Sequence, residues 1–526
     1  MRAATEQEEQ QAALLPQQHG AAFVSTLAHM GKKIRSRWPE WTALSFYAAL
    51  VAFAIPFHEP WADEAQAWQL ARSLSLGSLF KTYIRYEGSP GLWYFLLWAM
   101  NRVHIGYIGL HWICGGIAVG ATALLVLKSP FPRYLKLSLP FTYFLLFQYA
   151  VVARSYVLVP PLLYLIALCW KKRPLVPALL LGLLANVALH AAVISGGLAI
   201  VYLVEQIRIG GAKEPRRMRQ LVLGAIILLP LCALALWTAW PVKDNSFYSV
   251  PAHWQWQLVL IGAGVSLIKG TCDPWILSVF CWVAISLCFL SRRRFFYLLP
   301  VLFLAAFSGA VHFEWWHVGL LMPLVSCLLW ITWPAAADKA SLREAVGRIA
   351  LVIMATVQIL WSAYAIEFDH YNAYSPDLAA AEFLRPLAQE GATIAVTYMS
   401  GPEGNASRSV GILPYFDHSI FANEPDSFWW WSSRNSTEKM FMEILPSHPS
   451  VIVVEVRSNR PNGSISLEDE KTDVLRGEGY TFTNMFCGTM PQGFQVSEKS
   501  CHLIFQRPGN PQRFSQNQLD SGSVAR

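Results

Sequence analysis

Residues 58–97 read HEPWADEAQAWQLARSLSLGSLFKTYIRYEGSPGLWYFLL and follow the first long apolar run of the chain directly. The stretch contains the adjacent acids Asp63 and Glu64, three basic residues and a Gly-Ser-Pro-Gly break before an aromatic run. So much polarity beside a membrane-length apolar segment is costly unless it faces water or a polar site. We therefore interpret the stretch as a functional loop at a membrane surface.

The composition of the whole chain predicts a multi-pass membrane protein. Its 526 residues are 54% apolar and only 14% charged, which is too apolar for a soluble protein of this length. The net charge of +7 comes from short basic clusters between apolar runs, a placement that sets membrane topology. The lipid bilayer is the expected partner, and nucleic acid is not.

The apolar runs predict about eleven spans, because a membrane-crossing helix needs roughly 20 residues. The predicted spans lie near residues 41–57, 105–127, 134–151, 155–170, 174–190, 191–208, 220–240, 273–291, 295–311, 317–334 and 349–366. The basic clusters all fall on one side if residues 91–103 and 256–269 form surface-lying or re-entrant helices. The predicted fold class is an all-α polytopic membrane bundle with amphipathic surface helices in the first outer loop and a small C-terminal α/β domain outside.

Four regions follow from this topology. Residues 1–38 are expected to be a disordered cytoplasmic N-terminus, 39–366 the transmembrane part, 367–510 an extracytoplasmic α/β domain and 511–526 a disordered tail. In the α/β domain, Ser375 is expected to cap a helix that begins at Pro376. The segments expected as strands are ATIAVTYM, VIVVEV and HLIFQ, and STEKMFMEIL is expected as a helix.

The nine cysteines divide by their surroundings. Seven lie in or beside apolar runs without metal-type spacing and are expected to be small core residues. Cys487 and Cys501 lie in the polar C-terminal region. These two would be able to form a disulfide if that region is outside the cytoplasm.

Asp63 and Glu64 open a predicted amphipathic helix that lies on the membrane surface. Adjacent helical residues point about 100° apart, so the two carboxylates cannot both face one target. One would act as a base while the other orients a neighbour. Alternatively Asp63 caps the helix, with Gln66 completing a capping-box-like pair, and such a cap does not exclude catalysis.

Three stretches resemble a known family: WADEAQAWQLARS at 61–73, YEGSPGLWYFLLW at 86–98 and QYAVVARSYVLVPPLL at 148–163. They are similar to the first outer loop and the aromatic-Ala-Arg-x-Tyr signature of GT-C glycosyltransferases, in the bacterial branch of protein O-mannosyltransferases and lipid A aminoarabinose transferases. The chain departs from that pattern at Ser89-Pro90-Gly91, where the branch usually has Pro-Pro, and at Glu87, near which it often has His.

The resemblance implies a membrane enzyme with a GT-C-like fold in the plasma (inner) membrane. Such an enzyme takes a sugar from a polyprenyl-phosphate-linked donor and places it on a hydroxyl of an acceptor glycan, lipid or protein at the outer face. The sugar and the acceptor are left open. No cofactor is implied with certainty, and a divalent metal stays open.

This chemistry gives the residues in the loop their expected roles. An acceptor hydroxyl needs a general base, for which we expect Asp63, with Glu64 as the alternative. The lipid phosphate that leaves gains charge and needs a nearby cation, for which we expect Arg154, with Tyr156 bonding in the same pocket. The alternatives are a snorkelling arginine for Arg154 and an aromatic-belt residue for Tyr156.

Further substrate-binding candidates lie on the same predicted outer face. They are Glu87, Lys81, Arg85, His190, His312 and His317. Lys81 and Arg85 would contact the lipid phosphate or anionic headgroups, and the histidines would contact the acceptor or be satisfied interfacial residues. His312, Glu314 and His317 form an H-x-E-x-x-H pattern without an i,i+4 histidine pair, so no metal ligand set is assigned to it.

Two other classes of function compete with the enzyme. A transporter or flippase for a glycolipid typically carries charged groups at mid-membrane in broken helices and shows paired halves, whereas here the polar groups gather at one predicted face. A non-catalytic subunit of polysaccharide assembly would keep the fold and tolerate loss of Asp63 and Arg154.

Overall fold

The computed structural model describes residues 37–171, 175–209, 214–243, 255–291, 294–311, 313–334, 341–398, 409–423, 445–458 and 470–508. This part of the chain is mostly helical with a small C-terminal sheet, as the sequence predicts. Residues 1–36, the tail 511–526, His312 and nearly all of STEKMFMEIL lie outside the described residues.

Six helices of the described part are long and apolar enough to cross a membrane. They are Trp38–Phe57, Tyr107–Lys128, Leu189–Arg208, Pro215–Ala239, Trp315–Thr332 and Leu342–Tyr371. The shorter apolar helices are Ser155–Cys169, Leu175–Ala185, Trp256–Lys269, Trp275–Leu290 and Phe295–Ala310. These helices are consistent with an integral membrane protein, and the count of eleven spans stays a prediction.

The α-helices are numbered here in chain order. They are α1 (Trp38–Ala54), α2 (Ala62–Ser73), α3 (Leu76–Lys81), α4 (Leu92–Arg102), α5 (Tyr107–Lys128), α6 (Arg133–Ser138), α7 (Val159–Cys169), α8 (Leu175–Ala185), α9 (Leu189–Arg208), α10 (Pro215–Ala239), α11 (Trp256–Lys269), α12 (Trp275–Ser291), α13 (Leu299–Ala310), α14 (Trp315–Val318), α15 (Leu321–Thr332), α16 (Leu342–Tyr371), α17 (Asp377–Gln389) and α18 (Glu470–Gly477). Helix α16 continues past residue 366, where the sequence predicts a domain boundary.

The predicted span at 134–151 is not one helix. It consists of α6, a 3₁₀ turn at Leu139–Phe141 and a π-helical turn at Phe144–Gln148. Pro140 has no N–H to continue the helical ladder, and residues 143–153 are buried. Irregular backbone at membrane depth is tolerated where protein surrounds it, so this segment lies within the bundle and leads to the turn that carries Arg154.

The predicted surface helix is two helices, and the first is buried. Ser75 interrupts it and caps α3, its Oγ accepting from the N–H of Ser78 at 3.2 Å. Nine of the twelve residues of α2 are buried. The C-terminal region covers this helix, since Arg72 donates to the carbonyl of Phe416 at 2.8 Å. The expectation of an amphipathic helix with an exposed polar face is therefore wrong for α2, and its position at the membrane surface stays a prediction.

The sheet has four strands in the order β1-β2-β4-β3. They are β1 (Ile394–Tyr398), β2 (Val451–Ser458), β3 (Thr481–Gln492) and β4 (Gln495–Gln506). β1 and β2 are parallel, and the other pairs are antiparallel. Cys487 and Cys501 face each other across β3 and β4 and form a disulfide. We call residues 377–508 the sheet region.

The β3–β4 hairpin packs into the helical part. The hydroxyl of Tyr143 donates to the carbonyl of Pro491 at 3.0 Å, and Met490 is buried in the core that the helices form. Gly493 lies so close to Trp361 that an added Cβ would be 3.3 Å from its ring. The sheet region and the helices therefore share one continuous packed interface.

Candidate functional site

Asp63 and Arg154 form an ion pair between Oδ2 and Nη1. Asp63 lies in the first turn of α2, and Arg154 precedes the 3₁₀ turn Ser155–Leu158 in an extended conformation. The Arg154 side chain is 20% exposed and that of Asp63 29%, so the pair is accessible. The structure thus brings together the two residues that the sequence argument places in one site.

Three aromatic rings surround the Arg154 guanidinium. Its carbon lies 5.1 Å from the ring centre of Trp316, 5.5 Å from that of Trp61 and 5.7 Å from that of Tyr156. Such contacts stabilise a cation in a poorly hydrated site. Burial lowers the pKa of Arg154, but Asp63 outweighs burial and the pKa rises above its usual value. Arg154 is therefore a permanent positive charge.

His317 and His190 extend this cluster. The His317 ring lies 5.7 Å from Tyr156 and 5.8 Å from Trp316, and it stacks on His190 at 4.0 Å with an interplanar angle of 14°. Its Nδ1 accepts from the backbone N–H of Glu314 at 2.9 Å, so the remaining proton position is Nε2.

Glu64 faces away from Asp63, as helical geometry requires. Its oxygens accept from the backbone N–H of Trp61 at 3.0 Å and of Ala153 at 2.5 Å. They also contact Nε2 of His58 at 3.3 Å and Nε2 of His111 at 3.0 Å. Trp61 is the N-cap residue of α2, and Glu64 is the acid that closes its capping box. The alternative in which Asp63 caps the helix with Gln66 is therefore wrong.

The protonation of this group follows from its surroundings. Burial raises the pKa of Glu64, but His58 and His111 outweigh it and hold the pKa well below its usual value. Burial lowers the pKa of His58, but Asp369 and Glu64 outweigh it and raise the pKa to about 10. Nδ1 of His58 contacts Oδ2 of Asp369 at 3.2 Å. Glu64 is thus a buried, ionised anchor that is poorly suited to be the base.

Glu87 connects the two helices of the loop. Its Oε1 accepts from Nε2 of Gln66 at 2.9 Å, and its Oε2 accepts from the hydroxyl of Tyr94 at 3.2 Å. Since Gln66 is in α2 and Tyr94 in α4, Glu87 fixes how these helices meet. Glu87 is thus a contact between α2, which carries Asp63, and α4.

The two basic candidates lie apart from that pair. Arg85 donates from Nε to the carbonyl of Trp240 at 3.0 Å, which ties the loop to the end of α10. Lys81 is exposed at the end of α3. Neither has a contact to Asp63 or Arg154 within the part of the chain that the structure describes. His312 lies outside that part.

A second buried polar cluster lies at the start of the sheet region. His502 Nε2 lies 2.7 Å from Oδ1 of Asp377, and Ser375 Oγ lies 2.5 Å from Oδ2 of the same carboxylate. Burial lowers the pKa of His502, but the hydrogen bond to Asp377 outweighs it and the pKa is raised. A small cavity beside the cluster is also lined by Trp61 and Glu455.

Sequence reasoning missed the histidines and acids that meet only in the fold. His111 lies inside a predicted span, where an ionisable residue is a site candidate by default, and that signal was present. Asp369 lies just after the last predicted span, 349–366, and is an ionisable site candidate for the same reason. The partners Asp377 and His502 are 125 residues apart, and no pattern in the sequence links them.

No family model, curated protein or solved structure matches the chain.

Proposed function

We propose that the chain is a membrane glycosyltransferase of the GT-C class, which transfers a sugar from a polyprenyl-phosphate donor to an acceptor hydroxyl at the outer face of the plasma (inner) membrane. The observation that supports this best is the meeting of Asp63 and Arg154, 91 residues apart, in a partly exposed site lined by aromatic rings. A base beside a fixed cation is the pair of groups that the reaction needs.

In the proposed reaction, Asp63 accepts the proton of the acceptor hydroxyl while the hydroxyl oxygen bonds to the anomeric carbon of the sugar. A positioned base of this kind contributes about 10²–10⁴-fold to the rate. The bond from the anomeric carbon to the phosphate oxygen breaks, and its electron pair stays on the polyprenyl phosphate. Arg154 stabilises that charge, more strongly than it would in water because the site is partly closed.

The neighbouring residues have supporting roles in this proposal. Trp61, Trp316 and Tyr156 exclude water from the guanidinium and offer apolar faces of the kind that stack on sugar rings. His317 and His190 border the same cluster and would contact the acceptor. Glu64 would position α2, and therefore Asp63, without reacting.

The test is sugar transfer by membranes that contain the wild type, Asp63→Asn, Arg154→Ala or the control Asp417→Asn, whose side chain is exposed in the sheet region. The donors are a panel of radiolabelled polyprenyl-phosphate sugars. We expect transfer to fall about 10²–10⁴-fold in Asp63→Asn and comparably in Arg154→Ala at unchanged protein level, and to be unchanged in Asp417→Asn.

The rivals predict different outcomes. A non-catalytic subunit tolerates both substitutions, so undiminished transfer in Asp63→Asn and Arg154→Ala would overturn the proposal. A flippase moves labelled donor across the membrane without forming a new glycosidic bond. Labelled product that appears only with wild-type and Asp417→Asn membranes therefore supports the transferase.

A further inference from the structure

We propose that His58, Glu64 and His111 bind a zinc ion. The inference does not depend on the proposed transferase activity, because it follows from a buried donor set that stands next to Asp63 and is distinct from it. The three residues come from the end of the first span, from α2 and from α5.

The donor atoms have the spacing of a zinc site. One nitrogen or oxygen from each residue lies within 4.8 Å of the other two. Nε2 of His58 is 3.3 Å from one Glu64 oxygen, and Nε2 of His111 is 3.0 Å from the other. A tetrahedral zinc ion with bonds of about 2.0–2.1 Å separates its ligand atoms by roughly 3.3 Å. Each histidine–carboxylate pair has close to that spacing, and the two imidazole nitrogens, which contact different oxygens of Glu64, would converge further to share one ion.

The chemistry of the donors selects the metal. Two imidazoles and one carboxylate suit zinc, and they also suit other late first-row ions. Magnesium and calcium prefer six or more oxygen ligands, which this set does not offer. A neutral imidazole coordinates through Nε2 only if its proton is on Nδ1. In His58 that atom faces Oδ2 of Asp369 at 3.2 Å, the carboxylate–histidine arrangement that typically orients a zinc ligand.

The charge of the cluster also favours a cation. Glu64 and Asp369 are two buried acids beside the same imidazole. A divalent ion at this place would offset the charge of both carboxylates. Glu64 keeps its two backbone donors, the N–H groups of Trp61 and Ala153, while it binds the metal, because a carboxylate has about four acceptor positions.

Such an ion would be a positioning device for Asp63. It would join the start of α2 to the outer end of α5 and to His58, and it would hold Glu64, the residue that follows Asp63 in the chain. The direction in which Asp63 points towards Arg154 would then be set by the metal on the opposite side of the helix.

The first test is the zinc content of the protein, purified in detergent from zinc-supplemented cells and washed with a weak chelator. We expect about one zinc ion per chain in the wild type. The zinc content should fall at least about tenfold in His58→Gln and His111→Gln, because replacing even a residue that only supports a metal ligand typically lowers the metal affinity by about 10–100-fold. The control His418→Gln removes an exposed histidine and should retain the ion. Equal content in all four proteins would overturn the proposal.

The second test begins with a measurement that needs only the wild-type protein. Cobalt(II) added to metal-stripped wild type should give the visible absorption of a tetrahedral site, and zinc should abolish it. A strong chelator should lower the unfolding temperature of the wild type and leave that of His111→Gln unchanged. If the wild type contains no zinc, gives no cobalt spectrum and does not respond to the chelator, the cluster is held by hydrogen bonds alone. None of these measurements requires sugar transfer, so they distinguish failure of this proposal from failure of the proposed function.

Discussion

At the scale of single residues, Asp63 and Glu64 show how adjacent acids acquire different tasks. Helical geometry alone predicts that they diverge, and they do: Asp63 contacts Arg154, and Glu64 contacts His58 and His111. Which acid faces which partner was not predictable, because His111 is 47 residues from Glu64. The local signal instead suggested Asp63 as a cap, whereas Trp61 is the N-cap residue and Glu64 closes the capping box.

His502 makes the stability of the sheet region depend on pH. Asp377 raises the pKa of His502 above its unfolded value. Its stabilising contribution is therefore complete below about pH 6.5, the ordinary histidine pKa, and is lost as the pH rises through the higher folded pKa. We expect the unfolding temperature of the wild type to fall between pH 6 and 9 by more than that of His502→Gln. Thermal unfolding of both proteins across this range measures the difference.

Asp377→Asn tests the same buried pair by changing the partner of His502. It leaves a buried histidine without its carboxylate, which typically costs about 3–5 kcal/mol. His418→Gln, at an exposed position, should leave the pH profile unchanged. Parallel pH profiles for wild type and His502→Gln would show that the buried pair does not titrate in this range.

At the scale of elements, long apolar helices were predictable and irregular segments were not. The six long helices follow directly from run length. The interrupted segment 139–148 has the same apolar composition as a span, so its 3₁₀ and π turns leave little trace beyond Pro140. β3 was missed because TFTNMFCGT contains no apolar run, and its exposed, half-buried and buried positions follow no regular alternation. α2 is buried because the sheet region covers it, and the sequence of α2 alone does not predict that contact.

Two glycines of α11, Gly262 and Gly264, allow a test of how closely α11 packs against α13. A Cβ added at Gly262 would lie 2.8 Å from Cα of Gly309, whereas a Cβ at Gly264 would meet nothing within 4 Å. Both substitutions by alanine improve helix propensity, by up to about 1 kcal/mol. We expect Gly262→Ala to destabilise the protein by about 1–3 kcal/mol, because overpacking outweighs that gain, and Gly264→Ala to be neutral or stabilising.

Thermal unfolding in one detergent ranks the two variants against the wild type. If Gly262→Ala is as stable as Gly264→Ala, the two helices do not cross at this distance. Small residues are typical where two membrane helices cross. Gly262 lies at the crossing and Gly264 does not, so alanine should destabilise the protein at Gly262 but not at Gly264.

At the scale of the whole molecule, the redox state of Cys487 and Cys501 tests the predicted side of the membrane for the sheet region. The structure pairs Cys487 with Cys501 and leaves the other seven cysteines as thiols. Disulfides persist in oxidising compartments. The orientation itself stays a prediction from the basic clusters.

Thiol labelling measures this directly. Protein denatured without reduction should take up label at seven cysteines, and at all nine after reduction. In Cys487→Ser, eight cysteines should take up label without reduction, because Cys501 has lost its disulfide partner and becomes a free thiol. Nine labelled thiols in the unreduced wild type would place the sheet region in a reducing compartment and contradict the proposed outer location.

The β3–β4 hairpin has a consequence for biosynthesis. Met490 and Pro491, which complete the packing around Tyr143, follow every long apolar helix of the described chain and therefore leave the ribosome after those helices have been made. The helical part is therefore incompletely packed around Tyr143 until the β3–β4 hairpin has been synthesised and has packed against it. Premature stop codons near residue 480 should thus yield chains that insert but are quickly degraded, although every long apolar helix is present.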